Sequence, residues 1–271
     1  MADLPDPVSL KETPLVNANI PSIHLLAQRG ELTSFTPLLS RHAISHKNAL
    51  LSILGYDLDR GEPSAEELME FGLDNSQQLS DYPTLRPFVI PGFSGHGICV
   101  TPSAWVRGVA KCALLKPVDI YTSGSNLTDL LETMASITTE SIKAENEFAL
   151  VYIDTPLRAS LAGNFENKKM ALEAIDRHLI NPIADFVWKS DLMINMAVTT
   201  DLTTSWHTRQ PSNIRSPAVV YFNNHDWEGI PERKFTEVQA MLATQNFYYP
   251  SDLIRYLCNF SSAEEASELP F

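Results

Sequence analysis

Apolar positions along the chain fall into short unbroken runs that alternate with stretches of helical spacing, the rhythm of strands feeding helices in an α/β fold. The most pronounced run is F-A-L-V-Y-I over 148–153, rich in β-branched and aromatic residues and stopped by Asp154-Thr155-Pro156. It predicts a strand buried on both faces, followed by an irregular loop and a long amphipathic helix over 166–189. Further strands are predicted over 31–38, 98–101, 118–121, 194–199 and 218–222. Helices are predicted over 21–29, closed by Gly30 as a C′ residue, and over 46–54, ending at Gly55-Tyr56. Others follow the capping box Ser64-Ala65-Glu66-Glu67, run over 102–115, start behind Asn126 and reach 144, and close the fold near 235–244 and 251–259. Residues 75–97 read as loop; F-S-G-H-G at 93–97 is glycine-rich but fits no phosphate-loop pattern.

Composition narrows the class. With 271 residues, 44% of them hydrophobic, the chain can bury a large core, and the expectation is one α/β domain over 1–260 with an acidic, frayed tail over 261–271. No apolar run approaches the roughly 18 residues that span a bilayer, and M-A-D-L-P-D-P lacks the basic and apolar regions of a signal peptide, so a cytoplasmic protein with no membrane partner is expected. A formal charge of −13 without a local Lys/Arg cluster argues against nucleic acid. Cys99, Cys112 and Cys258 are odd in number, scattered and set in strand or helix patterns, which predicts buried thiols rather than disulfides or a zinc site.

Five stretches carry a resemblance. Thr13-Pro14-Leu15, Ala18, Pro21, Leu25, Ala27 and Gly30, followed by Ser52-Ile53-Leu54-Gly55-Tyr56-Asp57, resemble the N-terminal signature of the cofactor-independent phosphoglycerate mutases, a family of the alkaline phosphatase superfamily. Arg107-Gly108-Val109-Ala110-Lys111, Ala171-Leu172-Glu173-Ala174-Ile175-Asp176 and Lys234-Phe235-Thr236-Glu237 resemble later segments of the family, in family order. The resemblance implies a mostly parallel sheet sandwiched between helices, with two divalent metals and a phosphorylated serine at the carboxyl ends of the strands.

Residue by residue, that chemistry is expected to be missing. The chain begins after the family's first strand and its aspartate, and most of the family's second domain, inserted after Arg60-Gly61, is absent. The nucleophilic serine corresponds to His46, or to Ser45 with a one-residue slip. The family's D-x-x-x-H falls on Leu157 and Leu161, and its T-x-D-H on Thr199-Thr200-Asp201-Leu202, keeping only the aspartate. Its final histidine falls on Pro211, for which His207-Thr208 substitutes only with compensating indels. Leucine offers no lone pair, so Leu157, Leu161 and Leu202 are expected to pack together as core, with no metal pair and no other cofactor.

The resulting expectation is a phosphoglycerate-mutase-like pseudoenzyme acting as a binding, scaffolding or regulatory subunit. The alternative is a metal-independent enzyme, for phosphotransfer or isomerisation of a small acid, in which His46 accepts the phosphoryl group and Arg60, Arg158, Arg209 or Arg215 holds it. Asp201 is a further ligand-binding candidate, as are Trp206-His207 and the N-N-H-D-W run at 223–227 as a binding rim. The missing strand predicts an exposed sheet edge. Residues 7–10 take its place, another subunit or a second copy covers it, or the true start lies upstream.

Overall fold

A computed structural model describes residues 13–74, 76–93, 95–121, 126–144, 146–225 and 229–259. The strands are β1 (Glu31–Phe35), β2 (Gly97–Val100), β3 (Lys116–Val118), β4 (Phe148–Val151), β5 (Asn195–Thr199), β6 (Thr203–Thr204), β7 (Pro211–Ser212), β8 (Ser216–Phe222) and β9 (Asn246–Phe247). The helices are α1 (Pro14–Asn17), α2 (Pro21–Arg29), α3 (His46–Ile53), α4 (Ala65–Leu73), α5 (Ala104–Cys112), α6 (Leu127–Lys143), α7 (Thr155–Leu161), α8 (Phe165–Ile175), α9 (Asn181–Lys189), α10 (Glu237–Met241) and α11 (Asp252–Asn259).

The strands form a parallel sheet in the order β3-β2-β4, a second sheet in the order β5-β8-β1-β9, and the small pair β6-β7. β8 runs against both β1 and β5, with Asn195 opposite Phe222 and Thr199 opposite Ala218. The short path from β5 through β6 and β7 explains that direction, since only an antiparallel neighbour is reached without a crossover. Alternation along the strands feeds two apolar layers. Phe35, Cys99, Val220 and Phe222 pack with Leu51, Leu68, Val109 and Leu253 on one face; Leu32, Ile98, Val100 and Val219 pack with Leu26, Leu131, Met134 and Ala184 on the other. Helices therefore cover both faces, as the sequence predicts.

Three local expectations are corrected. Gly30 follows α2 with φ −121°, not in the left-handed region; glycine is needed there because a Cβ would overlap the Val220 carbonyl oxygen. β4 is half-buried along its whole length rather than buried on both faces, because among the described residues it pairs only with β2. The stretch after it is the helix α7, with Pro156 in its first turn; proline there starts a helix as readily as it makes a turn.

The long helix of 166–189 forms as α8 and α9 joined by a π-helical turn, Asp176–Ile180, in which the Asn181 N–H reaches back to the Asp176 carbonyl. Pro182 explains the wider turn, because it has no N–H to give and crowds the carbonyl one turn back. The buried Asp176 carboxylate caps α2, accepting from the N–H groups of Ser22 at 3.1 Å and Ile23 at 2.8 Å. The capping box at Ser64 is half made: its Oγ accepts the Glu67 N–H, but the Glu67 carboxylate instead accepts from the Thr84 N–H and hydroxyl.

Cys99 and Cys112 are buried and Cys258 half-buried, all three free, and burial pushes their thiols up to about 12, about 12 and about 11. They are inert at neutral pH. Among the described residues no helix is long and apolar enough to cross a membrane. The strand considered at 7–10 and the tail at 261–271 lie outside the described residues.

Two consequences are measurable. α4 and α5 touch through Gly72 and Gly108, where a Cβ would overlap the carbonyl oxygens of Ala104 and Leu68 respectively. Gly108→Ala is expected to cost about 1–3 kcal/mol, read as a lower urea midpoint with an unchanged slope. At the other side, Thr13 Oγ1 donates to the Glu237 carboxylate at 3.3 Å, and burial holds that carboxyl above its ordinary value of 4.5. A raised acid makes the folded state the tighter proton binder, so stability is lost as pH rises from 4.5 through the folded value. Urea unfolding of Glu237→Gln is expected to gain on the parent as pH rises toward neutrality, while a pH-independent difference would contradict it.

Candidate functional site

The residues just beyond the ends of β4 and β5 meet. The Tyr152 hydroxyl donates to Asp201 Oδ2 at 3.0 Å. His46, the first residue of α3, places Nδ1 at 2.9 Å from the same oxygen, and its Nε2 lies 2.7 Å from Thr204 Oγ1 on β6. The Thr204 carbonyl accepts from Lys168 Nζ at 2.8 Å, and this α8 lysine is only 2% exposed. The other Asp201 oxygen, Oδ1, accepts the Leu202 N–H at 2.7 Å, which fixes the carboxylate's orientation. Five polar residues thus form one connected line: Tyr152 and Asp201 from just past β4 and β5, His46 from α3, Thr204 from β6 and Lys168 from α8.

Proton placement follows from the partners. An ionised Asp201 accepts from both Tyr152 and His46, so the histidine proton sits on Nδ1 and Nε2 is left to accept from the Thr204 hydroxyl. Burial first, and then the neighbouring Asp201 carboxylate, hold the Tyr152 phenol well above its ordinary range, which keeps it a donor. Carboxylate, imidazole and hydroxyl in line is the arrangement that activates a hydroxyl nucleophile. Thr204 is 2% exposed, so the hydroxyl is closed to a substrate in this conformation.

The sequence candidates separate. His46 and Asp201 come together. Ser45 serves as the N-cap of α3, its Oγ accepting the Asn48 N–H at 3.1 Å. Leu202 is buried, but Leu157 is half-buried and Leu161 is 51% exposed, so the three leucines do not form one core cluster. The helical path of α7, where a loop was expected, turns Leu161 outward. Pro211 pairs with Thr204 across β6 and β7, putting a ring with no donor beside the network. Among the described residues no three His, Cys, Asp or Glu side chains are grouped to hold a metal ion. His46 and Asp201 alone do not fit a two-metal centre, because both are engaged with each other and Leu202 adjoins them.

None of the four arginines bonds to the network. Arg60 pairs with Asp57 and lines, with Tyr56, Arg86 and Phe88, a separate cavity of about 450 Å³. Arg158 pairs with Asp154 at 2.9 Å. The Arg209 N–H closes the turn between β6 and β7 onto the Ser205 carbonyl, and Arg215 Nη2 donates to the Ser34 and Phe247 carbonyls. His207 is exposed, edge-on to Trp206, which in turn meets Phe165. The N-N-H-D-W run is described only through His225.

Tyr152, Thr204 and Lys168 were not singled out by sequence reasoning. Tyr152 looked like one more apolar member of its strand. Lys168 left a signal: it stands three and seven residues before the buried Ala171 and Ile175, on the inward stripe of its helix.

Removing the Tyr152 hydroxyl with Tyr152→Phe is expected to cost about 1.5–3 kcal/mol, the range for a hydrogen bond to a charged partner. A double-mutant cycle of His46→Ala and Asp201→Ala is expected to show coupling of about 0.5–3 kcal/mol in urea unfolding, and additive losses would contradict the shared network.

No protein-family model matches the chain, and no curated protein sequence matches it significantly. Solved structures do. The PH0037 protein from Pyrococcus horikoshii superposes with a TM-score of 0.74 at 18% identity, covering 97% of this chain and 93% of that one. The cofactor-independent phosphoglycerate mutase from Thermoplasma acidophilum superposes with a TM-score of 0.63 at 15% identity, covering 97% of each chain. The chain therefore has a phosphoglycerate-mutase-like α/β fold.

Proposed function

We propose that the protein is a degenerate relative of the cofactor-independent phosphoglycerate mutases that holds no metal pair, performs no mutase chemistry, and acts as a binding, scaffolding or regulatory subunit with a protein partner. The observation that carries this reading is the pairing of His46 with Asp201 at 2.9 Å, beside ligand positions occupied by Leu157, Leu161 and Leu202. Two divalent ions a few ångströms apart need several carboxylate and imidazole donors to offset their charge. One carboxylate already shared by a tyrosine and a histidine does not supply them.

A second reading has its own support. The Asp201–His46–Thr204 line has the hydrogen-bond lengths of a general-base relay, which favours a metal-independent enzyme working through His46 if substrate binding uncovers Nε2 or the Thr204 hydroxyl.

One experiment separates them. Purified protein is analysed for bound metal and assayed for mutase turnover of phosphoglycerate and for hydrolysis of p-nitrophenyl phosphate, with and without manganese. The expected result is no turnover in either condition. Manganese-stimulated turnover abolished by a chelator would overturn the first reading. Metal-free turnover that falls about 10²–10⁴-fold in His46→Ala would promote the second.

A further inference from the structure

We propose that the cavity between residues 55–60 and 86–89 binds a small carboxylate, its hydrocarbon body on Phe88 and Val89 and its charge on Arg60 and Arg86. The site goes beyond the binding-subunit reading and does not rest on it, since none of the residues of the Asp201 network lines the cavity. Its volume, about 450 Å³, falls in the range of small-molecule sites.

The walls are set by the backbone. Gly55, at φ +92°, lets the Pro91 ring stand where a side chain would, since a Cβ there would come within 2.4 Å of that ring. This contact, and the Phe88 N–H donating to the Cys112 carbonyl at 2.9 Å, pin the 86–91 segment beside the turn that follows α3. The Tyr56 ring meets Phe88 edge-on at 5.3 Å, and its hydroxyl donates to the Gly61 carbonyl at 3.0 Å. The floor is therefore apolar, with its one phenolic group already engaged.

The rim carries the charge. Arg60 engages Asp57 through Nε at 3.2 Å, and Arg86 engages the Pro83 and Leu85 carbonyls through Nη1, both at 2.7 Å. Among the described residues, Nη1 and Nη2 of Arg60 and Nε and Nη2 of Arg86 have no partner. One solvated arginine on a surface says little. Here two line the same cavity, and both act on its floor: burial raises the Tyr56 phenol, while Arg86 and Arg60 each pull it back down.

The ligand's chemistry follows from these groups. Nε and Nη2 of Arg86 are adjacent on one guanidinium, the fork that takes both oxygens of a carboxylate. Two guanidiniums less the Asp57 carboxylate leave a single positive charge at the rim, which one carboxylate neutralises and a phosphate dianion exceeds. Val89, 62% exposed, lines the same cavity and offers hydrocarbon that a purely ionic ligand would leave in water.

The probe is p-fluorophenylacetate, titrated into the full chain and followed by fluorine NMR. Its comparisons are the neutral p-fluorophenylacetamide, the dianionic p-fluorophenyl phosphate, and acetate as a competitor. Saturable 1:1 binding is expected, about tenfold or more tighter than that of the amide or of acetate, with the phosphate no tighter than the carboxylate. Arg86→Lys, which keeps the charge and removes the fork, is expected to weaken binding about tenfold, and Arg60→Gln about threefold. The Arg60 side chain is 82% exposed, so Arg60→Gln keeps the parent's urea midpoint and separates binding from folding. His46→Ala is expected to leave the affinity unchanged. No saturable binding, equal binding of the amide, or unchanged affinity in both arginine variants would overturn the proposal. Tenfold tighter binding of the phosphate would overturn the carboxylate assignment. Loss of binding in a His46→Ala protein that still unfolds cooperatively would move the ligand to the Asp201 network and overturn the site. Turnover in the manganese assay would overturn the binding-subunit reading and leave this cavity's affinity as it was measured.

Discussion

Asp201 is the group on which the ends of both sheets depend. Its carboxylate receives a phenol from just past the end of β4, an imidazole from the start of α3 and its own neighbour's backbone N–H, so it ties together parts of the fold that, among the described residues, share no strand pairing. A carboxylate in a half-buried place is stable only while such donors surround it. The same saturation that makes it a good strut makes it a poor metal ligand. To take a divalent ion it would have to release His46 or Tyr152, and nothing among the described residues brings further acidic or imidazole donors to share the charge.

The line continues inward. Thr204, through its hydroxyl and its carbonyl, links His46 to Lys168, a lysine sealed inside the fold by α8. A buried ammonium is costly unless held, and removing one partner of such a line costs more than the bond itself, because the remainder is left buried and unpaired. The network thus behaves as one element. It joins the carboxyl-terminal ends of β4 and β5, which among the described residues pair with no common strand.

Most of the fold was legible in the sequence. Apolar runs marked 98–101, 148–153, 194–199 and 218–222 because strands within two helix layers have no polar side to show. Asn126 and Ser64 announced helix starts through their capping oxygens. What was hidden depended on tertiary context. Gly30 looked like a helix stop by its position, yet its reason is the approach of the Val220 carbonyl from a strand far along the chain. α7 was hidden because Asp-Thr-Pro reads equally as a turn or a helix start. At the site, His46 and Asp201 were visible as types, but their meeting was not. Leu161 misled in the opposite direction: an apolar residue at a former polar position suggested a filled pocket, and it lies half in solvent.

The central claim is that the polar groups at the strand ends satisfy one another and leave no place for a metal pair. The most direct measurement is a manganese titration followed by the electron paramagnetic resonance signal of the free ion. The account predicts a free-ion signal that rises in proportion to added manganese from the first addition, in the parent and in Asp201→Asn alike. Two equivalents of manganese taken up silently by the parent and released in Asp201→Asn would contradict it.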